Sequence, residues 1–414
     1  MGQDGAFYGT TTSGGSDFNG FLGSGNGTVF KLNSNHTVTV QADFNGGTNG
    51  FRAYGALVQD AQGNFYGTTL HGVDYVHGTI FKINTNGVLT NLYSFDSRID
   101  KNGSFPIAGL TISTNGLLYG TTRGGGQNNY GMVFRITHDG NFTTLGSFFG
   151  PNGSDPWGRL IEGRDGNFYG TTSSGGESNL GTVFRVGNDG GLTTLASFVG
   201  TNGANPYGGL LQGSDGQFYG TTEGGGESNR GSIFRMTPDG ALTTMASFDG
   251  PTNAAGPRAA LIEGRDGNFY GTAAGSGNYL YGTIFQVTPT GTLKTLVKFN
   301  GGNGIYPYCD LFEGPDGNLY GTTAGGGAYG HGTIFRLGFG MAPKFQSAVK
   351  LDGSLSMQWT SVAGQKYQLQ SNPDVSSTNW LNVGDLNTAT NGTMATVTPI
   401  VLQSPGFYRV LLVP

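Results

Sequence analysis

An eight-residue phrase, Asp215-Gly216-Gln217-Phe218-Tyr219-Gly220-Thr221-Thr222, occurs in edited form seven times along the chain. Each copy is marked by a tyrosine followed by Gly-Thr: Tyr8, Tyr66, Tyr119, Tyr169, Tyr219, Tyr270 and Tyr320, at steps of 58, 53, 50, 50, 51 and 50 residues. Such a period means that each copy is one supersecondary unit that buries its apolar face against the next copy. The fold is therefore a tandem array, and the unit must be read first.

In the unit from Pro206 to Phe248, Tyr207 to Gln212 is a short apolar run and Ser214-Asp215-Gly216 a turn signal. Gln217 to Thr222, aromatic and β-branched, reads as a second strand paired to the first across a tight turn. The glycine-rich segment 223–231 is a loop whose glycines permit positive φ. Ser232 to Met236 follows as a third strand, Pro238-Asp239-Gly240 as a turn and Leu242 to Phe248 as a fourth strand. Four antiparallel strands with no helical period make the blade of a β-propeller. Phe218 and Gly220 face one way, Tyr219 and Thr221 the other, so both faces pack. Gly220 is expected to let the neighbouring blade approach.

Counting copies gives seven second and seven third strands, with six fourth strands beginning near Val38, Leu89, Phe142, Leu192, Leu242 and Leu293. Six first strands begin near Tyr54, Ile107, Trp157, Tyr207, Arg258 and Tyr308. The sequence predicts a seven-bladed propeller over residues 1–337 with an imperfect seam. The missing strands suggest N-terminal truncation, with closure by segments from both ends as an alternative.

Residues 338–343 read as a linker, and from Lys344 the composition shifts towards Val, Ser, Gln and Asn. Leu355 to Trp359 and Lys366 to Gln370 alternate as half-buried strands do, and Met394 to Ile400 and Gly406 to Val410 supply more. Residues 344–414 are thus expected to form a small fibronectin-III/Ig-like β-sandwich, with Trp359 and Trp380 plugging its core rather than stacking on sugars.

Composition removes several function classes. Glycine supplies 79 of 414 residues, charged side chains are 11% and aromatics 12%, which suits an ordered, turn-rich β protein. The net charge of −5, without a Lys/Arg cluster, argues against nucleic acid as a partner. No apolar run approaches the roughly 20 residues of a membrane-spanning helix. The N-terminus carries no secretory signal, and the chain reads as a mature or truncated form. Cys309 is the only cysteine, which leaves no intrachain disulfide, and it reads as a small buried hydrophobe rather than a catalytic thiol.

The phrases Phe168-Tyr169-Gly170-Thr171-Thr172, Gly181-Thr182-Val183-Phe184-Arg185 and Leu192-Thr193-Thr194-Leu195-Ala196-Ser197-Phe198 resemble the tandem-repeat family named for gloeobacterial and verrucomicrobial proteins, the GloVer repeats. The resemblance covers residues 4 to about 337. The part ending Phe407-Tyr408-Arg409-Val410 is similar to a module closing secreted proteins of such bacteria. The resemblance implies export, and often a separate C-terminal anchoring signal; it carries no family-wide catalytic residues.

Candidate sites lie where the repeat varies. Turns joining strands one to two and three to four are short Asp-Gly or Asn-Gly turns, such as Asp165-Gly166, explained by hairpin chemistry rather than by calcium or an acid pair. The longer loops gather at the other end of the ring, the face on which a fixed scaffold carries binding. They include His71, Asp74 and His77, Gln127 to Tyr130, Glu177 and Asn179, Glu227 to Arg230, Tyr279 and Tyr281, and Tyr329 and His331. His71 and His77 lack partners at zinc spacing and read as exposed loop residues. The innermost strands offer a second site at the channel mouth: Tyr54, Trp157, Tyr207, Arg258 and Tyr308, with Arg159 and Asp310 where other units have Ala56, Gly109, Gly209 or Ala260. Aromatics with an Arg and an Asp suit a carbohydrate or another polar ring-shaped ligand; the structural alternative is that they wedge between blades while the charges meet solvent.

The expected function is that of a non-catalytic, exported monomer, extracellular or on the cell surface, with no cofactor and no metal. It binds a polysaccharide, a cell-envelope component or a cell-surface protein through the variable-loop face. The alternative is a carbohydrate-active enzyme, lyase or glycosidase, using carboxylates such as Glu177, Glu227 or Asp310 at the channel mouth. A purely structural surface-layer component is a third option.

Overall fold

Each repeat folds into a small antiparallel sheet, and seven such sheets make a β-propeller. The structure is a computed structural model that describes residues 1–19, 24–33, 35, 37–47, 49–72, 77–96, 102–251, 253–275, 281–338, 345–351, 354–360, 366–372, 381–383, 387–388, 393–398 and 407–413. Asp74, Tyr279 and Trp380 lie outside the described residues. The chain divides into two compact units, Met1–Glu313 with Tyr320–Phe335, and Gly314–Leu319 with Arg336–Pro414.

In blade 4 the strands are Ile161–Glu162, Phe168–Thr172, Thr182–Val186 and Leu192–Ser197, hydrogen-bonded in that order. Blades 2 to 6 repeat this pattern, whereas blade 1 (Phe7–Thr10, Thr28–Leu32, Val38–Asp43) and blade 7 (Phe312–Glu313, Leu319–Thr323, Thr333–Leu337) have three strands each. Among the described residues this is the expected tally of seven second, seven third, six fourth and six first strands. The first strand is shorter than the apolar run suggested: in blade 5 only Leu211–Gln212 pairs. Pro206 offers no N–H, and residues 207–210 lie too tightly on the next blade to pair, since a Cβ on Gly208 would stand 2.6 Å from the Ala259 carbonyl oxygen.

Each position of the repeated phrase has a separate task. In blade 4, the Tyr169 ring packs 4.2 Å from that of Phe218 in blade 5, and its hydroxyl donates to Asp165 at 2.8 Å. The turn aspartate therefore both shapes its hairpin and holds the tyrosine. The same bond recurs from Tyr8 to Asp4, Tyr66 to Asp60, Tyr219 to Asp215 and Tyr270 to Asp266, at 2.7–2.8 Å. Thr171 donates to the Gly208 carbonyl of blade 5 at 2.9 Å, joining neighbouring blades, and Thr172 bonds Thr182 on the adjacent strand at 2.8 Å. The glycine serves its own blade, not the neighbour: a Cβ on Gly220 would stand 2.5 Å from the ring of Phe234, the third-strand aromatic of the same sheet. That ring is fully buried and fills the space a side chain would take.

The turn end of the ring is fastened in four blades by the last residue of the inner strand. Glu162 accepts the Thr114 N–H of blade 3 at 2.8 Å, Gln212 accepts the Arg164 N–H at 2.9 Å, and Glu263 the Ser214 N–H at 2.7 Å. Gln59 accepts the Gln3 N–H at 2.8 Å, linking blades 1 and 2. These side chains satisfy turn amides that would otherwise face only water.

The seam closes by the aromatic device found at four of the other six boundaries. Tyr320 of blade 7 packs 4.4 Å from Phe7 of blade 1, matching the Tyr8–Phe65 and Tyr219–Phe269 separations of 4.3 and 4.2 Å. Blade 7 bears the cost of its missing outer strand, because Ile334 is 39% exposed whereas its counterparts Ile80, Val133, Val183 and Ile233 are at 0%.

In the second unit, Phe345–Leu351 pairs with Ser354–Thr360, which pairs with Thr393–Thr398. Lys366–Asn372 pairs with Leu381–Asn382, Asn387–Thr388 and Phe407–Val413. Trp359, Tyr367 and Leu369 are fully buried, so Trp359 is a core residue.

Candidate functional site

At the loop-face end, the backbone of every inner strand is fixed in the same way. Arg52, Phe105, Asp155, Asn205, Gly256 and Tyr306 occupy one equivalent position, and all adopt φ between 55° and 65°. That left-handed conformation is unusual for Arg, Phe and Tyr. It is held from both sides. The N–H of Asp155 donates to Tyr130 of the preceding blade at 3.0 Å, and its carbonyl accepts from the Ser173 N–H at 3.1 Å. Tyr306 repeats this with Tyr281 at 2.9 Å and Ala324 at 3.1 Å. Proline follows in five of the six cases, at positions 106, 156, 206, 257 and 307. The device brings three positions per blade to one rim, exemplified by Asp155, Trp157 and Ser173.

On blades 3 to 7 these positions link into a continuous arc. The Arg123 guanidinium lies 4.2 Å from the Trp157 ring centre and pairs with Asp155 through Nε and through Nη2 at 3.1 Å. The Trp157 indole N–H also donates to Asp155, at 3.0 Å. Trp157 meets Tyr207 edge-on at 5.2 Å. The Arg258 guanidinium is 5.1 Å from the Tyr207 ring and 5.4 Å from the Tyr308 ring, and bonds Glu223 through Nη2 and through Nε at 2.7 Å. Tyr306 stacks parallel to Tyr308 at 6.1 Å. A cleft of about 220 Å³ opens here, lined by Glu223, Asn229, Arg230, Gly256, Arg258, Tyr306 and Tyr308 among others. Burial, with the Glu223 charge adding to it, pushes the Tyr207 phenol above its usual range and keeps it a neutral hydrogen-bonding group.

The structure thus brings together Trp157, Tyr207, Arg258 and Tyr308, and Arg230 from the loop face joins Arg258 and Tyr308 in lining the cleft. Tyr54 is exposed and outside the arc. Arg159 is exposed on blade 4, two residues after Trp157 on the inner-strand segment. Asp310 accepts the Ala260 N–H at 2.7 Å and so joins blades 6 and 7. Glu177 and Glu227 are exposed on their loops, and His331 is exposed with Phe18 of blade 1 edge-on to it at 6.0 Å. The two histidines of blade 2 are not exposed loop residues. His77 is 7% exposed with Asp96 3.8 Å from its Nε2, and His71 stacks on Phe51 at 4.8 Å. Phe51 and His71 also form a backbone bridge that draws the loop inward.

Arg123, Asp155, Glu223 and Tyr306 are parts of the arc that repeat alignment alone did not single out. Their signals are the proline, which marks the preceding left-handed residue, and the position directly after the second strand, where Arg123, Ser173 and Glu223 differ. Cys309 takes no part: its Sγ accepts the Thr322 N–H at 2.9 Å, and burial raises its pKa. Among the described residues no three His, Cys, Asp or Glu side chains converge as a metal site would require, and no helix is long and apolar enough to cross a membrane.

The Gloeobacter/Verrucomicrobia repeat model matches residues 1–116, 99–265 and 158–367. The chain belongs to this family. No curated protein matches the sequence. Among solved structures, the Gloeobacter/Verrucomicrobia repeat protein is similar to a protein from Bacteroides fragilis NCTC 9343 provisionally assigned as a 6-phosphogluconolactonase, with TM-score 0.50 and 17% identity over 95% of this chain and 98% of that one. A protein of the same provisional assignment from Bacteroides uniformis ATCC 8492 gives TM-score 0.50 and 15% identity over 94% and 99% of the two chains. At such identities the likeness is one of fold alone.

Proposed function

We propose that this repeat protein is a non-catalytic, exported bacterial binder that holds a polysaccharide of the cell envelope or its surroundings at the loop-face rim of the propeller. The observation that carries the reading is the arc from Arg123 to Tyr306. It joins guanidinium groups, tyrosines and an indole over five blades beside an open polar cleft, and polyhydroxylated ligands are recognised by such mixtures of flat apolar surface and fixed polar groups. The carboxylates support binding over catalysis. Asp155 is engaged by Arg123 and Trp157, Glu223 by Arg258 and Asp310 by a backbone amide, whereas a glycosidase needs a pair of carboxyl groups free to exchange protons. The second unit, read as a small β-sandwich with Trp359 in its core, would act as a spacer or accessory module.

The test is a glycan and polysaccharide binding screen on the whole chain beside Tyr308→Ala. Tyr308 is exposed and lines the cleft, so its removal should leave the fold intact. Binding should fall by about tenfold or more in the variant, as expected when an aromatic contact at the centre of a site is truncated. Equal binding by both proteins would remove the arc as the site.

A further inference from the structure

We infer that the ligand is an acidic polysaccharide, whose carboxylate or sulfate groups are met by Arg123, Arg159 and Arg258; this rests on the polysaccharide reading above. The aromatic rings of the arc are already partly covered. Arg123 lies over Trp157, and Arg258 lies between Tyr207 and Tyr308, so on those sides a sugar meets guanidinium groups before it meets a ring. A guanidinium has five N–H donors in a rigid fork. Both arginines use Nε and Nη2 on their carboxylate partners. The two donors on Nη1 and one on Nη2 remain unspent among the described residues, leaving the end of each fork available in the geometry that grips a carboxylate or sulfate with two parallel bonds. Stacking on a ring holds such a fork in place before the ligand arrives.

Arg159 strengthens the case. It is exposed on blade 4 with no side-chain partner among the described residues, in a slot where other blades carry Ala56, Gly109, Gly209 or Ala260. Nothing in the packing calls for a guanidinium there. Arg230 adds another cation to the cleft wall. Asp155 and Glu223 offset the charges of Arg123 and Arg258, and Asp310 of blade 7 adds a further carboxylate, so Arg123 and Arg258 serve the ligand through their unspent N–H donors while the unpaired positive charge comes from Arg159. The whole chain carries a net charge of −5, so attraction of a polyanion would be local to this rim rather than a property of the bulk surface.

The experiment compares whole-chain binding to polygalacturonate, its methyl-esterified form, dextran sulfate, dextran and polyglutamate, at low and high salt, for the unaltered protein and Arg159→Ala. Arg159 has no partner to lose, so the variant should fold, which its melting curve would verify. The inference expects binding to one or both charged polysaccharides, weakening with salt, and reduced about tenfold in Arg159→Ala, the loss of a hydrogen bond to a charged group. The two charged polymers separate carboxylate from sulfate as the recognised group. Comparable binding to an uncharged polysaccharide would overturn the inference and leave the polysaccharide reading standing. Unchanged affinity in Arg159→Ala would also overturn it. Binding to polyglutamate as tight as to the sugars, or to none of the polymers, would remove both.

Discussion

Phe184→Ala is expected to lower the unfolding free energy by about 3–5 kcal/mol, the range for emptying the site of a large buried aromatic. Phe184 is fully buried within a cluster that includes Tyr119, Val133, Phe148, Leu160 and Phe168, and its ring meets Phe148 edge-on at 5.0 Å. Its seat exists because Gly170, opposite it on the second strand, has no side chain: a Cβ there would stand 2.6 Å from the ring tip. The surrounding strands are fixed by hydrogen-bonded ladders and cannot collapse into the space, so the cavity term is retained. The matching substitution in blade 7, Phe335→Ala, should cost clearly less, because that ring is only partly buried beside a missing outer strand. Urea titrations of the two variants would check the ranking, and equal losses would refute the assignment of blade 7 as the loose end of the core.

Alkali should unfold the propeller over a narrow span above pH 10. Burial, reinforced by the hydrogen bond to the turn aspartate, pushes the Tyr169 and Tyr219 phenols up to about 12; Tyr66 and Tyr270 are displaced in the same direction by the same causes. A group whose folded pKa lies above its unfolded value of about 10 contributes stability that is complete below pH 10 and is lost as pH rises towards the folded value. Because these tyrosines sit at successive boundaries, their losses add. The aspartates act at the other limb. Burial alone would raise Asp60, Asp165 and Asp266, but the hydrogen bonds they accept outweigh it and hold them low; Asp4, bonded also to Lys31, falls to about 2. Their contribution is complete above about pH 4 and disappears as pH falls through the depressed values. Tyrosinate absorbance and circular dichroism followed together from pH 9 to 13 would check the alkaline limb. Ionisation of these tyrosines with the β signal intact would contradict it.

The blade was legible because every copy must solve the same packing problem, so Phe218-Tyr219-Gly220-Thr221-Thr222 announces itself by repetition. What each residue touches was less legible. Gly220 reads from sequence as a place for a neighbour to approach, yet the ring that needs the space, Phe234, belongs to the same sheet. Half of the arc was visible from aligning the inner strands, since Trp157, Tyr207, Arg258 and Tyr308 share one column. Arg123 with Asp155 and Glu223 with Arg258 were not, because these ion pairs join positions 32 and 35 residues apart on neighbouring blades. A repeat alignment superposes equivalent residues and does not reveal which unlike positions face each other. His77 was misread for a related reason: its loop is polar in sequence, but its ring is buried.

The most direct test of ligand binding at the arc follows the indole N–H resonances of the protein, which has three tryptophans, during titration with the polysaccharide that the screen selects. Trp157 is assigned by its absence in Trp157→Phe. Its N–H donates to Asp155, which is also bound to Arg123, so a ligand engaging that guanidinium must disturb it. The predicted result is a saturable shift of the Trp157 signal, with that of buried Trp359 unmoved. Saturating polysaccharide binding that leaves the Trp157 signal in place would contradict the account.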